Sequence, residues 1–237
     1  MEDLSKYSLW LEKTFKEINV VITGDHLVLT SGKHSGAYIN LRLLAGYTDI
    51  LYGIGRIIAL AIDEHENDLD CIDHDYRKRI VIVGPETLGR TFAEFTAIAG
   101  GFDKFAWCDM KKDFMTEKDS AEWNPKLNFA EMVNGAWCYI IDDLLTTSKS
   151  VKLVKQLIEE TGGNVKGVVV VVRRDQEVTA ETVGVPWLYP LLDVNATEFK
   201  AHEADSCPLC KDQVPMRLRP GHGHEWIKEH ENYPVAD

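Results

Sequence analysis

Two adjacent carboxylates followed by a run of hydroxyl side chains stand out at residues 138–151 (CYIIDDLLTTSKSV). Asp142 and Asp143 end an apolar stretch. The donor-bearing residues that follow are Thr146, Thr147, Ser148, Lys149 and Ser150. Backbone N–H groups at a helix start and the positive end of its dipole favour a phosphate, and the hydroxyls and the lysine add donors. Because carboxylates accept hydrogen bonds from sugar hydroxyls, the spacing predicts a ribose 5-phosphate site.

The elements that would position these residues are a buried strand and an amphipathic helix. The apolar residues before Asp142 predict the strand, and helical spacing over 149–161 predicts a helix that stops at Gly162–Gly163. The other predicted strands lie at 20–23, 26–30, 36–41, 79–84, 104–109 and 166–172, and the other helices at 3–18, 49–64 and 88–99. Continuous β-branched runs between helices indicate a parallel sheet covered on both faces.

The composition excludes several classes of partner. The chain has 26 basic and 38 acidic residues and a net charge of −12, so it would repel the phosphates of a nucleic acid or an anionic membrane. The N-terminus lacks a signal-peptide core, and no apolar run approaches the roughly 20 residues of a membrane helix. The five cysteines, an odd number, predict reduced thiols in a cytoplasmic protein.

A second glycine-bearing loop lies at residues 84–95 (GPETLGRTFAEF), between a predicted strand and a predicted helix. Gly84 and Gly89 allow the backbone to approach an anion, and the helix start supplies N–H donors. A tight strand-to-helix turn also favours glycines, so this loop alone is ambiguous. Paired with the acidic motif, it predicts a second phosphate-binding loop.

The segment 138–151 resembles the motif of type I phosphoribosyltransferases that binds 5-phosphoribosyl 1-pyrophosphate (PRPP). The shared pattern is a hydrophobic strand, two acids, two variable residues and a Thr/Gly-rich loop. The resemblance implies that Asp142 and Asp143 bind the ribose 2′- and 3′-hydroxyls and that the following loop binds the 5′-phosphate. This chain has Ser148 where the family usually has Gly, and a positive φ there is less comfortable for serine.

The resemblance extends over about residues 15–220 and implies an α/β fold, a doubly wound parallel sheet with a small N-terminal hood and a C-terminal extension. We expect a transferase domain over 1–200, with the hood at about 1–45, and an extension over 201–237. The family also implies a homodimer and a Mg²⁺ ion that is reached through PRPP, with no metal held directly by side chains.

In the family the second loop binds pyrophosphate. Its residues here are Gly84, Pro85, Glu86, Thr87, Leu88, Gly89 and Arg90. Its Gly-Pro start and second glycine look like orotate phosphoribosyltransferases, which commonly carry a lysine at the position of Leu88. Arg90 is then either a compensating cation or a cap on a solvated face.

Two further segments resemble the base-binding parts of orotate phosphoribosyltransferases. The matching residues in 29–40 (LTSGKHSGAYIN) are Ser31, Gly32, Lys33, Ser35 and Tyr38. Orotate enzymes also tend to have Asp-Arg-Gln at a later strand end, where this chain reads RRDQ from Arg173, and we assign the base contact to Arg174. The alternatives are a polar surface turn and an ordinary charged strand end.

Residues 110–130 form a long polar connection without clear periodicity, which predicts either a functional lid or disorder. It carries Lys111, Lys112, Lys118 and Lys126. Family members close a lysine-bearing loop over the reacting sugar, so we assign Lys111 and Lys112 to catalysis. The family's Lys-x-x-Lys-x-His sequence is absent, and a solvated charged run is the alternative.

The tail contains Cys207-Pro-Leu-Cys210, with His202, His222 and His224 nearby. Two thiols and two imidazoles can make a tetrahedral zinc site. The spacing differs from that of zinc fingers, however, and a reduced, packed tail is the alternative.

Together these resemblances imply transfer of a phosphoribosyl group from PRPP to orotate. Two competing functions remain: a transferase of the same fold that acts on another nucleobase, and a PRPP sensor without catalysis. The missing lysine at position 88 and the absent loop motif make the sensor plausible. A protein without any ligand would make the anion-adapted loops a coincidence.

Overall fold

A computed structural model describes residues 5–29, 31–68, 76–112, 119–194 and 201–236. The chain divides into two compact units. The larger unit contains Met1–Leu11 and Leu44–Val194, and the smaller unit contains Glu12–Leu43 and Asn195–Asp237.

Within the described residues the secondary structure follows the predicted order. The helices are α1 (Ser5–Glu17), α2 (Thr48–Asp68), α3 (Tyr76–Arg79), α4 (Leu88–Gly100), α5 (Phe129–Val133), α6 (Lys149–Glu160), α7 (Ala180–Val183), α8 (Pro208–Lys211) and α9 (Gly223–Glu229). The strands are β1 (Val21–Val28), β2 (His34–Ile39), β3 (Ile80–Pro85), β4 (Phe105–Lys112), β5 (Asp119–Trp123), β6 (Trp137–Leu145), β7 (Asn164–Arg173), β8 (Leu188–Asp193), β9 (Ala201–His202), β10 (Met216–Arg217) and β11 (Val235–Ala236). No helix among these residues is long and apolar enough to cross a membrane.

The larger unit is built on a six-stranded sheet, in the described part of the chain, with the order β5-β4-β3-β6-β7-β8. All neighbouring strands are parallel except β4 and β5. The residues 80–83 of β3 and the five valines 168–172 of β7 are fully buried. Side chains of α6, including Val151 and Val154, share one apolar cluster with Val81 and Val83 of β3. Burial of β3 and β7 along continuous apolar runs confirms the predicted α/β sheet.

The strand order reverses between β3 and β6. The chain first adds β4 and β5 on one side of β3 and then places β6 on the other side. Val83 and Ile140 are register partners, so β3 and β6 reach the same edge of the sheet at their carboxyl ends. The loops that follow them therefore lie next to each other at a topological switch point.

The region expected to be a lid is more ordered than predicted over its described residues. Strand β4 continues to Lys112 and pairs antiparallel with β5, and helix α5 follows at Phe129–Val133. Residues 113–118, including Lys118, lie outside the described residues, as does the Lys112 side chain. The prediction of a connection without secondary structure is thus wrong for 119–123 and 129–130. Strand β5 is a polar edge strand with little hydrophobic alternation, so the sequence did not indicate it.

The smaller unit combines the β1–β2 hairpin with the tail. The predicted strands at 20–23 and 26–30 form one strand, β1, whose pairing with β2 shifts register between Thr23 and Leu27. The tail strand β9 pairs antiparallel with β2, and the His222 N–H donates to the Val28 carbonyl at 2.8 Å. The tail therefore belongs to the same compact unit as the hairpin, whereas the sequence predicted an extension of its own.

Candidate functional site

The two predicted anion-binding loops meet at the switch point between β3 and β6. A Cβ atom added to Gly89 would lie 2.9 Å from the Ile141 carbonyl oxygen of β6 and 2.7 Å from Pro85 Cδ. A Cβ atom added to Gly84 would lie 2.1 Å from the Gly89 carbonyl oxygen. Glycine is thus required at both positions for the first loop to pack against the end of β6.

The acidic pair lies in β6, two residues before the strand ends at Leu145. Asp142 is 6% exposed and lines a small polar pocket of about 20 Å³, whereas Asp143 is half-buried. The Asp143 N–H donates to Asp142 Oδ1 at 2.9 Å, and the Leu144 N–H donates to Asp143 Oδ1 at 2.9 Å. Burial, followed by repulsion from Asp143, raises the pKa of Asp142 well above its ordinary value. The site therefore keeps a buried carboxyl beside the pocket at the cost of desolvating it.

The phosphate loop forms the rest of that pocket. Its lining residues are Asp142, Leu144, Leu145, Thr146, Thr147, Ser148, Lys149, Ser150 and Val151. Ser148 precedes the first turn of α6 and has a left-handed backbone with φ 58°, and its hydroxyl makes no capping hydrogen bond. This is the conformation for which the family's glycine is suited. The loop and the start of α6 thus have the geometry of an anion cradle.

The predicted cations of the site are engaged elsewhere. Lys149 Nζ lies 2.6 Å from Asp119 Oδ2 on β5. The Lys111 ammonium on β4 pairs with Glu122, which is also on β5. Leu88 is buried at the start of α4. The Arg90 guanidinium lies 3.8 Å from the Trp107 ring centroid and 3.9 Å from Glu86 Oε1. A compensating role for Arg90 therefore stays a prediction.

The remaining residues of the first loop are open to solvent at its tip. Glu86 and Thr87 are exposed, and the peptide bond between them is cis. The Glu86 N–H donates to the Cys108 carbonyl at 3.0 Å, which connects the loop to the middle of β4. The tip of the loop is therefore exposed to solvent, whereas Gly84 and Gly89 are buried.

Arg174 directly follows β7 and lies beside the end of β6. Its N–H donates to the Leu145 carbonyl at 2.9 Å. The neighbouring Arg173 is instead bound to Asp193, with Nε 2.6 Å from Oδ1 and Nη2 2.9 Å from Oδ2. Within the described part of the chain the Arg174 guanidinium forms no ion pair. Arg174 is thus the one of the two arginines that could contact a ligand.

The predicted base-binding segment belongs to the smaller unit. Ser31 and Gly32 form the exposed turn between β1 and β2, and Lys33 Nζ lies 2.9 Å from Glu203 Oε1. Ser35 is buried, and its Oγ donates to the Ala37 carbonyl at 2.9 Å. Tyr38 is half-buried on β2. Ser35 therefore stabilises its own strand, and a ligand role for this segment stays a prediction.

The cysteines of the tail meet two histidines that the sequence analysis did not select. Ligand atoms of His26, His34, Cys207 and Cys210 all lie within 4.8 Å of one another. The expected partners His202, His222 and His224 do not form this group, so that part of the zinc hypothesis was wrong. Burial lowers the pKa of His26, and burial and then repulsion from His26 lower that of His34 to about 4. His26 and His34 lie on the hairpin more than 170 residues before the cysteines, and nothing in one sequence connects them.

No family model matches the sequence. Among curated proteins, the orotate phosphoribosyltransferase of Thermoanaerobacter sp. (strain X514) is 28% identical over 208 residues, which is 87% of this chain and 93% of the relative. The orotate phosphoribosyltransferase of Caldanaerobacter subterraneus subsp. tengcongensis is 26% identical over 207 residues, with the same coverage of both chains.

Solved structures give the same fold. Orotate phosphoribosyltransferase from Aeropyrum pernix has a TM-score of 0.55 and 22% identity, covering 78% of this chain and 93% of that chain. Adenine phosphoribosyltransferase from Thermoanaerobacter pseudethanolicus has a TM-score of 0.54 and 16% identity, covering 76% of this chain and 99% of that chain. Over most of its length the chain is therefore similar in sequence to orotate phosphoribosyltransferases, and it has the type I phosphoribosyltransferase fold that its motifs predicted.

Proposed function

We propose that the protein transfers the phosphoribosyl group of PRPP to orotate, giving orotidine 5′-phosphate and pyrophosphate. The observation that carries the proposal is the polar pocket lined by Asp142 and residues 144–151 at the end of β6. The Gly84–Arg90 loop packs through Gly89 on the Ile141 carbonyl of the same strand. Curated relatives named orotate phosphoribosyltransferases support orotate as the acceptor. An adenine enzyme among the structural neighbours makes the base the part of the proposal to test first.

In the proposed reaction the bond between C1′ and the pyrophosphate oxygen breaks, and pyrophosphate leaves with the electron pair. A ring nitrogen of the base forms the new bond to C1′ and loses its proton. Because C1′ passes through an oxocarbenium-like state, the protein acts by positioning and charge compensation. The N–H groups at the start of α6 would hold the 5′-phosphate, and Asp142 and Asp143 would accept hydrogen bonds from the ribose hydroxyls.

The donor set at the pocket suits a magnesium ion. Asp142 and Asp143 offer oxygen ligands at its edge, and Mg²⁺ prefers oxygen donors and keeps several waters. When bound with PRPP, the ion would neutralise charge on the pyrophosphate. The two carboxylates would reach it through the sugar hydroxyls or water. A homodimer and a catalytic role for Lys111 and Lys112 stay predictions.

The direct test is pyrophosphate release from PRPP and Mg²⁺ with a panel of bases: orotate, uracil, adenine, hypoxanthine and xanthine. We expect turnover with orotate and background release with the other four. Turnover with a purine instead would contradict orotate as the acceptor, although it would still support a phosphoribosyltransferase activity.

The matched test of the site is the double variant Asp142→Asn with Asp143→Asn, which keeps size and removes both charges. We expect turnover to fall by about 10²-fold or more, because positioned charged groups at reacting centres contribute on that scale. Glu159→Gln serves as the control, because it makes the same carboxylate-to-amide change at an exposed position of α6. It should leave turnover unchanged. Unaltered kinetics in the double variant would refute the site.

A PRPP sensor is the second candidate, and the pairing of Lys149 with Asp119 and of Lys111 with Glu122 favours it. Calorimetric titration with PRPP and Mg²⁺ separates the two functions. Binding of PRPP without pyrophosphate release for any base in the panel would establish the sensor and exclude the transferase.

A further inference from the structure

Three buried side chains of the smaller unit and the half-buried Cys210 point their metal-binding atoms at one another. His26 Nε2 lies 3.0 Å from His34 Nδ1, 3.8 Å from Cys207 Sγ and 3.6 Å from Cys210 Sγ. Cys210 Sγ lies 3.2 Å from His34 Nδ1. His26, His34 and Cys207 are 0% exposed, which is uncommon for histidine. The cluster is therefore a closed group of two nitrogens and two sulfurs.

The spacing of these atoms is that of ligands around one zinc ion. With Zn–N of about 2.0–2.1 Å and Zn–S of about 2.3 Å, a tetrahedron places two nitrogens about 3.3 Å apart and a nitrogen and a sulfur about 3.6 Å apart. The observed distances of 3.0 Å between nitrogens and 3.2, 3.6 and 3.8 Å between nitrogen and sulfur lie around these values. A small adjustment of side chains would admit the ion.

The surroundings set the ligand atom of His26. Its Nδ1 lies 2.9 Å from the Val214 carbonyl oxygen, which can only accept, so Nδ1 carries the proton and Nε2 has its lone pair toward the cluster. The Tyr233 hydroxyl donates to the same carbonyl at 3.0 Å. A backbone carbonyl that holds the distal N–H of a ligating histidine is the usual outer partner of a zinc site.

Aromatic rings close the remaining sides. The Trp226 ring stands edge-on to His34, with centroids 5.1 Å apart, and Tyr233 stands edge-on to His26 at 5.7 Å. Without an ion, the cluster would have one N–H···N hydrogen bond and weak thiol contacts to offset the burial of His26, His34 and Cys207. An ion would engage all four ligand atoms together, whereas the second ring nitrogen of His34, Nε2, is buried without a hydrogen-bond partner among the described residues.

We propose that the smaller unit binds one structural zinc ion through His26, His34, Cys207 and Cys210. Four protein ligands leave no open position, so the ion has a structural and not a catalytic role. It would join the β1–β2 hairpin to the helical turn α8, elements far apart in sequence. A unit with few large buried apolar side chains, among them Phe15, Leu27 and Met216, gains stability from such a link.

Zinc content of the full-length protein, purified without a metal-affinity tag, tests the proposal. We expect about one zinc per chain by elemental analysis, and Cys207→Ser and His26→Ala should each lower it by about tenfold or more at equal free zinc. The double variant His222→Ala with His224→Ala is the matched control and should keep the metal. Loss of zinc in that control, or its retention in Cys207→Ser, would overturn the ligand assignment.

Two measurements on the unaltered chain keep the test valid if a variant fails to fold. Blocking thiols with a mercurial should release about one zinc per chain to a zinc-sensitive dye. Protein produced with cobalt in place of zinc should show the visible bands of a tetrahedral cobalt–thiolate site. Absence of metal in both measurements, or a Cys207–Cys210 disulfide in the purified protein, would show that the cluster is not a zinc site.

Discussion

Asp142 combines near-complete burial with a role at the pocket. In the unfolded chain its carboxyl titrates near the ordinary value of 3.8, whereas burial and the charge of Asp143 raise the pKa in the folded state. Between these two pKa values the folded state binds more protons than the unfolded state. The free energy of unfolding therefore decreases as the pH rises through that window, and this cost is absent below the unfolded pKa.

Replacing Asp142 alone with asparagine should therefore separate stability from function. We expect Asp142→Asn to raise the melting temperature at pH 7, by about 2–4 °C for each kcal/mol of relieved desolvation, while turnover falls. Calorimetry at pH 7 and near pH 4 measures the gain, which should shrink at the lower pH. Asp143→Asn, at a half-buried position, is the control with a smaller gain. A lower melting temperature for Asp142→Asn at pH 7 would contradict this account.

Ser148 tests how strictly the phosphate loop needs a left-handed residue. Its φ of 58° and the absence of a side-chain cap mean that the hydroxyl is not holding the loop. We expect Ser148→Gly to keep or improve PRPP affinity. Ser148→Val should weaken it by about 1 kcal/mol or more, because branched residues avoid this region. Isothermal titration with PRPP measures both.

Gln156→Gly provides the comparison for that pair, since Gln156 is exposed in the middle of α6 and does not line the pocket. Glycine there should cost roughly 1 kcal/mol of stability and leave PRPP affinity unchanged. If Ser148→Gly lost as much stability as Gln156→Gly, the left-handed conformation of Ser148 would not be important for the loop.

At the scale of elements, strand β5 forms an ion pair with Lys149 of the proposed phosphate loop. Lys149 on α6 pairs with Asp119 on β5, and both are near the sheet edge, where an exposed pair contributes about 0–1 kcal/mol. We expect Asp119→Asn to release Lys149 and to lower the KM for PRPP several-fold, with a change in stability below about 1 kcal/mol.

Glu122→Gln is the matched control, because it frees Lys111 on the same hairpin instead of Lys149. Steady-state kinetics with varied PRPP distinguishes the two. An unchanged KM in Asp119→Asn would show that the Lys149 ammonium does not reach the phosphate, and a lower KM in Glu122→Gln would give Lys111 a role in binding.

The sequence predicted the elements in which continuous runs of apolar residues indicate a buried position. The valines of β7 and the apolar run before Asp142 identified the parallel strands. Most residues of the contiguous motif from Asp142 to Ser150 line one pocket, and phosphate binding there stays a prediction. Strand β5 was missed because an edge strand needs no hydrophobic alternation. The Lys149–Asp119 pair was missed for the same reason, since its position depends on that strand.

At the scale of the whole molecule, ligand and metal should protect different units. We expect a zinc chelator to speed hydrogen exchange in peptides from 21–39 and 201–217, and PRPP with Mg²⁺ to slow exchange in peptides from 137–160. At a free concentration of 100 times its dissociation constant, a ligand raises the free energy of unfolding by about 2.7 kcal/mol. Mass spectrometry of exchanged peptides measures both effects in one experiment.

Each reagent serves as the control for the other. A chelator that loosens 137–160 as strongly as 21–39 would contradict separate stabilisation of the two units. PRPP that leaves 137–160 unprotected would contradict the site in the larger unit, without bearing on the zinc proposal.

The partners of the smaller unit could not be predicted from one sequence. Its hairpin and tail are separated by Leu44–Val194 of the larger unit, and neither His26 nor His34 has a local pattern that points to the cysteines. The predicted boundary at residue 200 followed chain order, whereas strand pairing between β2 and β9 follows the fold.

This division of the chain has a consequence for its synthesis. The segment Glu12–Leu43 leaves the ribosome before its partners in Asn195–Asp237 are translated. At about 5–20 residues per second, translation of residues 44–237 takes about 10–40 s. Throughout that time β1 lacks its contacts with β10 and α9, so a nascent chain of this protein should depend on chaperones until the segment 195–237 has been made.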